Sequence, residues 1–385
     1  MKKKIIVISA GRSDYSRFYP ILDNIIKLKS AQLYLYLTLA NFNKVFDNIK
    51  NKFPKKLKIL KSTNSPINFN DKPKQTVKNL SLDLDSLAKY VQKIKPDVII
   101  VIGDRYEMLI GPLVAIPNNI PTVHFFGGAI TEGAIDELVR HGLTKMSHYH
   151  FVLLDLYKRR LLQLGEEPWR IKRIGLPSLS NLNSFKFKSL NNLSQTYKFN
   201  FAKPFMIVTF HPVTLELKQI KSQLSSLINS IKSTNLNAVI TYPNSDPSFN
   251  LIIKEFINKL KNKNRYLLVK NLGEVDYFSL MKLAKLMIGN SSSGIVEAVS
   301  FKLPVVNIGT RQDGKLKPKN VIDTGYSLNE IKRGIKKALK IDFLNKIKKI
   351  KNPYHSNDES KKIAKMILNI KSNQKILRKK FINKI

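Results

Sequence analysis

The sequence predicts an α/β protein of two doubly wound parallel-sheet domains that face each other across a cleft. Three observations point there. The 385-residue chain is too long for one ordinary core and long enough for two. Short apolar runs rich in β-branched residues alternate with amphipathic stretches, the pattern of parallel strands buried on both faces. That alternation lapses over the Ser/Asn/Leu/Lys-rich segment after Gly175-Leu-Pro-Ser178, then restarts.

The first run, Lys4–Ala10, leads through Gly11-Arg-Ser-Asp-Tyr-Ser16 into a helix ending near Leu28. The basic Met1-Lys-Lys-Lys before it superficially suggests a signal peptide. The apolar run is only about six residues long, and Arg12 and Asp14 follow at once, so it reads as a buried strand. Gln32–Leu39 is a second strand. Asn41–Asp71 is polar and poorly periodic and reads as a loop with a short helix. Helix Lys74–Ile94 stops before Pro96, and Asp97–Ile102 is the next strand. Further strands are expected at Thr122–Phe126, Tyr149–Leu154 and Arg170–Ile174, with helices at about Ala134–Ser147 and Asp155–Leu164. Beyond the break, strands are expected at Phe205–Phe210, Asn237–Tyr242, Arg265–Lys270, Leu286–Ile288, Pro304–Ile308 and Asn320–Asp323. Helices fall between them, and the tail from Leu328 is lysine-rich and helical. The expected divisions are residues 1–178, 179–355 and a helical tail, 356–385.

Composition narrows the function classes. No cysteine is present, which excludes disulfides and thiolate metal sites and fits a cytoplasmic protein. Net charge is +40, from 67 Lys+Arg against 27 Asp+Glu. Such a balance suits nucleic acid or an anionic membrane. Here the lysines are spread along the whole chain without interleaved aromatics or a nucleic-acid-binding motif, so they read as solvated surface that also concentrates an anionic substrate. No run approaches the ~20 apolar residues of a membrane span. Neither nucleic acid nor membrane is an expected partner. No HExxH motif or EF-hand loop occurs, and no metal or other cofactor is expected.

In open α/β sheets the ligand sits beyond the carboxyl ends of the strands, and the polar clusters of this chain lie there. Arg12 and Ser16 follow the first strand at a helix start, a place that suits an anion. Asp104 and Arg105 follow the most apolar strand, as base and phosphate partner or as a structural ion pair. The Gly127–Glu137 loop carries Glu132 and, at the next helix start, Asp136. His211 ends strand Phe205–Phe210, placed for proton transfer or phosphate contact. Arg311 repeats the strand-end arginine, and Asn244 opens a further strand-end loop. The corner Met287-Ile-Gly-Asn-Ser-Ser-Ser-Gly-Ile-Val-Glu297 offers Ser291, Ser292, Ser293 and Gly294 at a helix start, as a phosphate site or a plain N-cap, and Glu297 for sugar hydroxyls. Several cations, a serine-lined helix start, carboxylates and a histidine together suit a nucleotide diphosphate bearing a sugar.

Taken in order, Gly11-Arg-x-Asp-Tyr-Ser16, Gly103-Asp-Arg-Tyr-Glu107, the Gly127-Gly128 loop to Asp136 with Arg140-His141, His211-Pro-Val-Thr214, Gly289–Glu297 and Asn307-Ile-Gly-Thr-Arg-Gln312 resemble the UDP-N-acetylglucosamine 2-epimerases, hydrolysing branch. The likeness covers roughly residues 1–325. It implies two Rossmann-like domains in the GT-B arrangement, in which the C-terminal helical tail often crosses back to the first domain. It implies a UDP-linked 2-acetamido sugar as substrate, either UDP-N-acetylglucosamine or its 2,4-diacetamido-6-deoxy analogue, on a route to sialic or legionaminic acids. Dimers are usual in the family, so a homodimer is the self-association it allows. By the resemblance Arg12, Ser16, Arg105, Ser291, Ser292 and Arg311 meet the diphosphate and Glu297 the ribose. Asp104, Asp136 and His211 join the catalytic set.

The chain departs from the family at one place. The family usually reads His-Ile, then Glu or His, then Gly-Gly-Glu; here His124-Phe-Phe-Gly-Gly-Ala129 puts Phe126 and Ala129 where ionisable side chains stand. Losing a general acid or base costs ~10²–10⁴ in rate. Three readings follow: Glu132 takes over, the amino sugar differs, or the protein binds a nucleotide sugar with little turnover. The loop at Asn244-Ser-Asp-Pro-Ser also lacks the family's small ending, which implies a different nucleoside pocket. A GT-B glycosyltransferase is the alternative enzyme class.

Overall fold

The computed structural model describes residues 2–42, 53–54, 56–62, 73–180, 182–244, 246–260, 264–357 and 359–383. The chain forms two compact units. The first comprises residues 1–129, 135–182 and 354–385, and the second residues 130–134 and 183–353.

The first unit holds strands β1 (Lys3–Ser9), β2 (Ala31–Leu37), β3 (Lys58–Lys61), β4 (Val98–Ile102), β5 (Thr122–Phe125), β6 (Tyr149–Val152) and β7 (Ile171–Arg173). They form one sheet in the order β3-β2-β1-β4-β5-β6-β7, with every pair parallel. All five residues of β4 are buried, as its unbroken Val/Ile run requires of a strand covered on both faces. Helices Arg12–Lys27, Pro73–Ile94, Asp136–Met146 and Asp155–Gln163 supply the crossovers.

Two expectations need correction here. The segment read as loop with a short helix contains β3, paired to β2 in the register Tyr34↔Lys58. Its four residues include only one buried side chain, Leu60, between lysines, so an edge strand of this length carries no apolar run to detect. Residues 43–52, 55 and 63–71 of that reading lie outside the described residues. Strand β5 ends at Phe125, because Phe126 turns to φ +70°.

The second unit holds β8 (Phe205–Thr209), β9 (Asn237–Thr241), β10 (Tyr266–Val269), β11 (Leu286–Gly289), β12 (Val305–Ile308) and β13 (Val321–Thr324). The order is β10-β9-β8-β11-β12-β13, again all parallel. Its core packs Met206, Val208 and Phe210 against Leu224, Leu227 and Ile228 of helix Ile220–Lys232. In each unit the winding reverses between two adjacent strands, β1/β4 and β8/β11. Such reversals open a crevice at the strands' carboxyl ends.

Residues beyond 353 return to the first unit. The Tyr354 carbonyl accepts from Leu176 N at 2.8 Å, and Arg170 donates to the carbonyls of Ile376 and Arg378, each at 2.9 Å. Lys379 Nζ lies 2.7 Å from Glu166 and also donates to the carbonyls of Thr144 (2.8 Å) and Lys145 (2.9 Å). The Lys3 ammonium, from the other end of the chain, donates to the carbonyls of Leu368 and Ile370.

Candidate active site

In the first unit the chemistry gathers after β4. Asp104 accepts from both Nε (3.1 Å) and Nη2 of Arg140. Arg140 stands on helix Asp136–Met146 with no exposed surface, and its Nη1 reaches Glu137 and the Ala129 carbonyl (3.0 Å). Burial alone would lower the Arg140 pKa; Asp104 first and then Glu137 raise it, and the net position is above the ordinary value. A guanidinium forked between two acids is a geometry that lysine cannot supply. Glu137 also pairs with His141 at 2.8 Å. The Asp104 side chain keeps 34% of its surface exposed, so it is oriented from behind and open in front.

His124, on β5, sits beneath this pair. Its Nε2 is 2.8 Å from the Gly103 carbonyl, and burial pushes its pKa down to about 3. The ring is therefore neutral at pH 7, with its proton on Nε2, and it pins the peptide preceding Asp104. Arg105 donates two hydrogen bonds to Glu107, at 3.1 and 2.7 Å. Asp14 accepts from Ala10 N and Gly11 N at 3.0 and 2.9 Å. Burial pushes Asp14 up to about 6, a rise that Arg105 restrains. The turns after β1 and β4 are thus linked electrostatically.

The second unit gathers its groups after β8 and β11. Gly289 is required there: at φ +134°, a Cβ would lie 1.9 Å from the Thr209 carbonyl oxygen. That close approach seats Asn290 against His211. Asn290 Oδ1 accepts from His211 N at 2.7 Å, and its Nδ2 donates to the His211 carbonyl at 2.9 Å. The Asn290 carbonyl in turn accepts from Arg311 (3.3 Å) and Gln312 (2.9 Å). His211 Nδ1 accepts from Asn244 N at 3.1 Å. Ser291 caps helix Ser292–Val296, and Ser293 bonds both Ser291 Oγ (3.0 Å) and Tyr277 OH (2.6 Å). Glu297 is buried. Burial, and then its proximity, push Glu274 up to about 7.

Residues Ile130–Ala134 belong to this second unit although both flanks belong to the first. Glu132 N donates to the Asp313 carbonyl at 3.2 Å. A Cβ on Gly133 would lie 2.9 Å from Arg311 Cα and from the Thr310 carbonyl, so the loop rests directly on the turn that presents Arg311. Glu132 itself is exposed.

Of the residues singled out from sequence, Asp104 and Arg105 come together with Asp14 in one cluster, with Asp136 in the first turn of the helix that carries Arg140. His211, Asn244, Ser291, Ser293, Gly294 and Arg311 assemble in the other, with Ser292 and Glu297 on the same helical turn and Glu132 on the docked loop. Arg12 and Ser16 lie in the opening turns of helix Arg12–Lys27, and their side chains fall outside the described residues. Gly294 has a packing role as well: a Cβ there would meet Val305 at 2.9 Å. Phe126 and Ala129 are both buried, Phe126 edge-on to Phe125, and Ala129 contributes only its carbonyl to Arg140. The quoted motifs contained Arg140, Glu137 and Asn290 without giving them a role at the site, and Glu274 was not singled out at all.

A family model described as UDP-N-acetylglucosamine 2-epimerase matches residues 28–368. A Campylobacter jejuni protein named GDP/UDP-N,N'-diacetylbacillosamine 2-epimerase (hydrolyzing) is 36% identical over 346 residues, 89% of each chain. A Legionella pneumophila UDP-N,N'-diacetylbacillosamine 2-epimerase (hydrolyzing) is 32% identical over 98% of this chain and 99% of its own. The fold is similar to that of the Neisseria meningitidis UDP-GlcNAc 2-epimerase crystallised with UDP-GlcNAc, with TM-score 0.76, 18% identity, and 96% and 100% of the two chains covered. With a family model spanning most of its length and relatives above 30% identity, the chain belongs to the UDP-N-acetylglucosamine 2-epimerase family.

Proposed function

We propose that the protein is a hydrolysing 2-epimerase acting on a UDP-linked 2-acetamido sugar, with the 2,4-diacetamido-6-deoxy sugar favoured by the names of the two relatives above. The reaction removes the C2 proton and expels UDP. Water then adds to the 2-acetamidoglucal and leaves the free manno-configured sugar. It needs a base at C2, stabilisation of departing UDP and a placed water. In this reading Asp104 and Asp136 of the first unit handle protons. Glu132 does the work of the side chains replaced by Phe126 and Ala129. The second unit holds UDP through Ser291, Ser292, Ser293, Arg311 and the Glu297 carboxylate, with Arg12, Ser16 and Arg105 completing the diphosphate contacts.

The observation that carries the reading is Asp104, aligned by a fully buried Arg140 yet still open to solvent. A carboxylate aligned from behind and reachable from solvent is placed to meet a substrate proton. The test offers UDP-N-acetylglucosamine and its 2,4-diacetamido-6-deoxy analogue side by side, without acceptor, and follows products by NMR. Asp104→Asn should abolish UDP release while UDP affinity changes little. Undiminished turnover in that variant removes Asp104 from the mechanism, and sugar transfer that requires an added acceptor removes the epimerase reading.

A further inference from the structure

The function above leaves the part played by His211 unspecified, and the hydrogen bonds around its ring define it. A backbone amide can only donate, and Asn244 N points at His211 Nδ1 from 3.1 Å. A proton on Nδ1 would set two N–H groups against each other at that distance, so Nδ1 is the acceptor and the neutral ring carries its proton on Nε2. The ring has little freedom to escape this arrangement. Both polar atoms of the His211 backbone are clamped by the one side chain of Asn290, at 2.7 and 2.9 Å, and Asn290 has no exposed surface. Asn290 is itself fixed by the close β8–β11 approach at Gly289, and its carbonyl holds Arg311 and Gln312.

We propose that His211 is locked by Asn244 and Asn290 as the neutral Nε2–H tautomer and acts as a hydrogen-bond donor to an anionic oxygen, not as the base of the reaction. Asn290 is the positioning residue. The proposal rests on the epimerase reading and assigns a role within it. As the C2–H bond breaks, its electrons form the C1=C2 bond and the C1–O electrons leave with the β-phosphate of UDP. The C2 proton passes to a carboxylate. His211 keeps its own proton throughout and stabilises the charge on the departing diphosphate through Nε2–H, as fixed donors do wherever anionic charge develops. Neutral imidazole suits that task because it can donate without giving the proton up.

The experiment is long-range ¹H–¹⁵N NMR on protein labelled at its six histidines, with His211 assigned from the signals lost in His211→Gln. A protonated Nε2 beside an unprotonated Nδ1 at pH 7 supports the proposal; a protonated Nδ1, alone or with Nε2, overturns it. Asn290→Ala should turn the His211 pattern into a tautomer mixture and lower kcat by roughly 10- to 100-fold, the scale of a misplaced reacting group. An unshifted pattern with wild-type kcat would remove Asn290 from the role. Epimerase activity in a protein whose His211 is protonated at Nδ1 overturns the proposal alone. The Nε2–H pattern in a protein that releases UDP from neither sugar overturns the reading of the function alone.

Discussion

Replacing Arg140 by methionine removes the cation while keeping most of the side chain's volume. The loss can be worked from the contacts. Removing one partner from a fully buried ion pair costs about 3–5 kcal/mol. Here the guanidinium has no exposed surface, but the Asp104 and Glu137 side chains keep 34% and 23% of theirs. Solvent screens part of their charge, so the expected cost falls at the lower end of that range, about 3 kcal/mol. The Ala129 carbonyl also loses a donor. The single tryptophan, Trp169, lies in the first unit against Arg170 and Tyr149. Its fluorescence in a urea titration therefore follows the unit that carries the substitution, which avoids treating a two-unit chain as one transition. UDP release on the same samples should fall by about 10²-fold or more as Asp104 loses its alignment. A stability change under about 1 kcal/mol together with normal turnover would refute the assignment of Arg140 as the support of Asp104.

Two further outcomes follow from burial. Asp83 accepts from Leu39 N at 3.0 Å, and burial pushes it up to about 7. A raised carboxyl contributes stability that is intact below its unfolded pKa near 4 and is lost as pH climbs through the folded value. Asp83→Asn should therefore flatten that decline and gain on the wild type between pH 4 and 7, by an amount on the order of 4 kcal/mol; parallel urea midpoints across that range would contradict it. Lys379→Met removes the ammonium that ties the tail to Glu166 and to the end of helix Asp136–Met146. Limited trypsin digestion should then release the chain beyond residue 370 faster than in the wild type, and identical digestion rates would show that the tail is held by other contacts.

The strands were legible because parallel strands covered on both faces need unbroken apolar runs, and Val98–Ile102 or Phe205–Thr209 can hardly be anything else. An edge strand such as Lys58–Lys61 has no such requirement and passed as loop. At the site, Asp104 was legible as an acid stranded at the end of an apolar strand. Arg140 stood in a quoted motif, but its role was not legible, because nothing local in a helix sequence says that an arginine turns inward onto a carboxylate 36 residues away. Asn290 was hidden for a related reason: its work is done by side-chain bonds to a strand end 79 residues away in the chain. The serines beside it were legible by residue type, but their partners, such as Tyr277, were not.

The return of residues 354–383 to the first sheet bears on how the molecule is made. Both stretches that finish the first unit, β1 with Lys3 and the segment reaching Lys379, are separated by the whole of residues 183–353. A ribosome therefore delivers the second unit's sheet complete before it delivers the last pieces of the first. Nascent β1–β7 must wait with the carbonyls of Thr144 and Lys145 lacking their cation and with Glu166 paired to Lys145 but not yet to Lys379. The helix that carries Arg140 is thus finished last, so a nascent chain can acquire its second unit well before the support for Asp104 is complete.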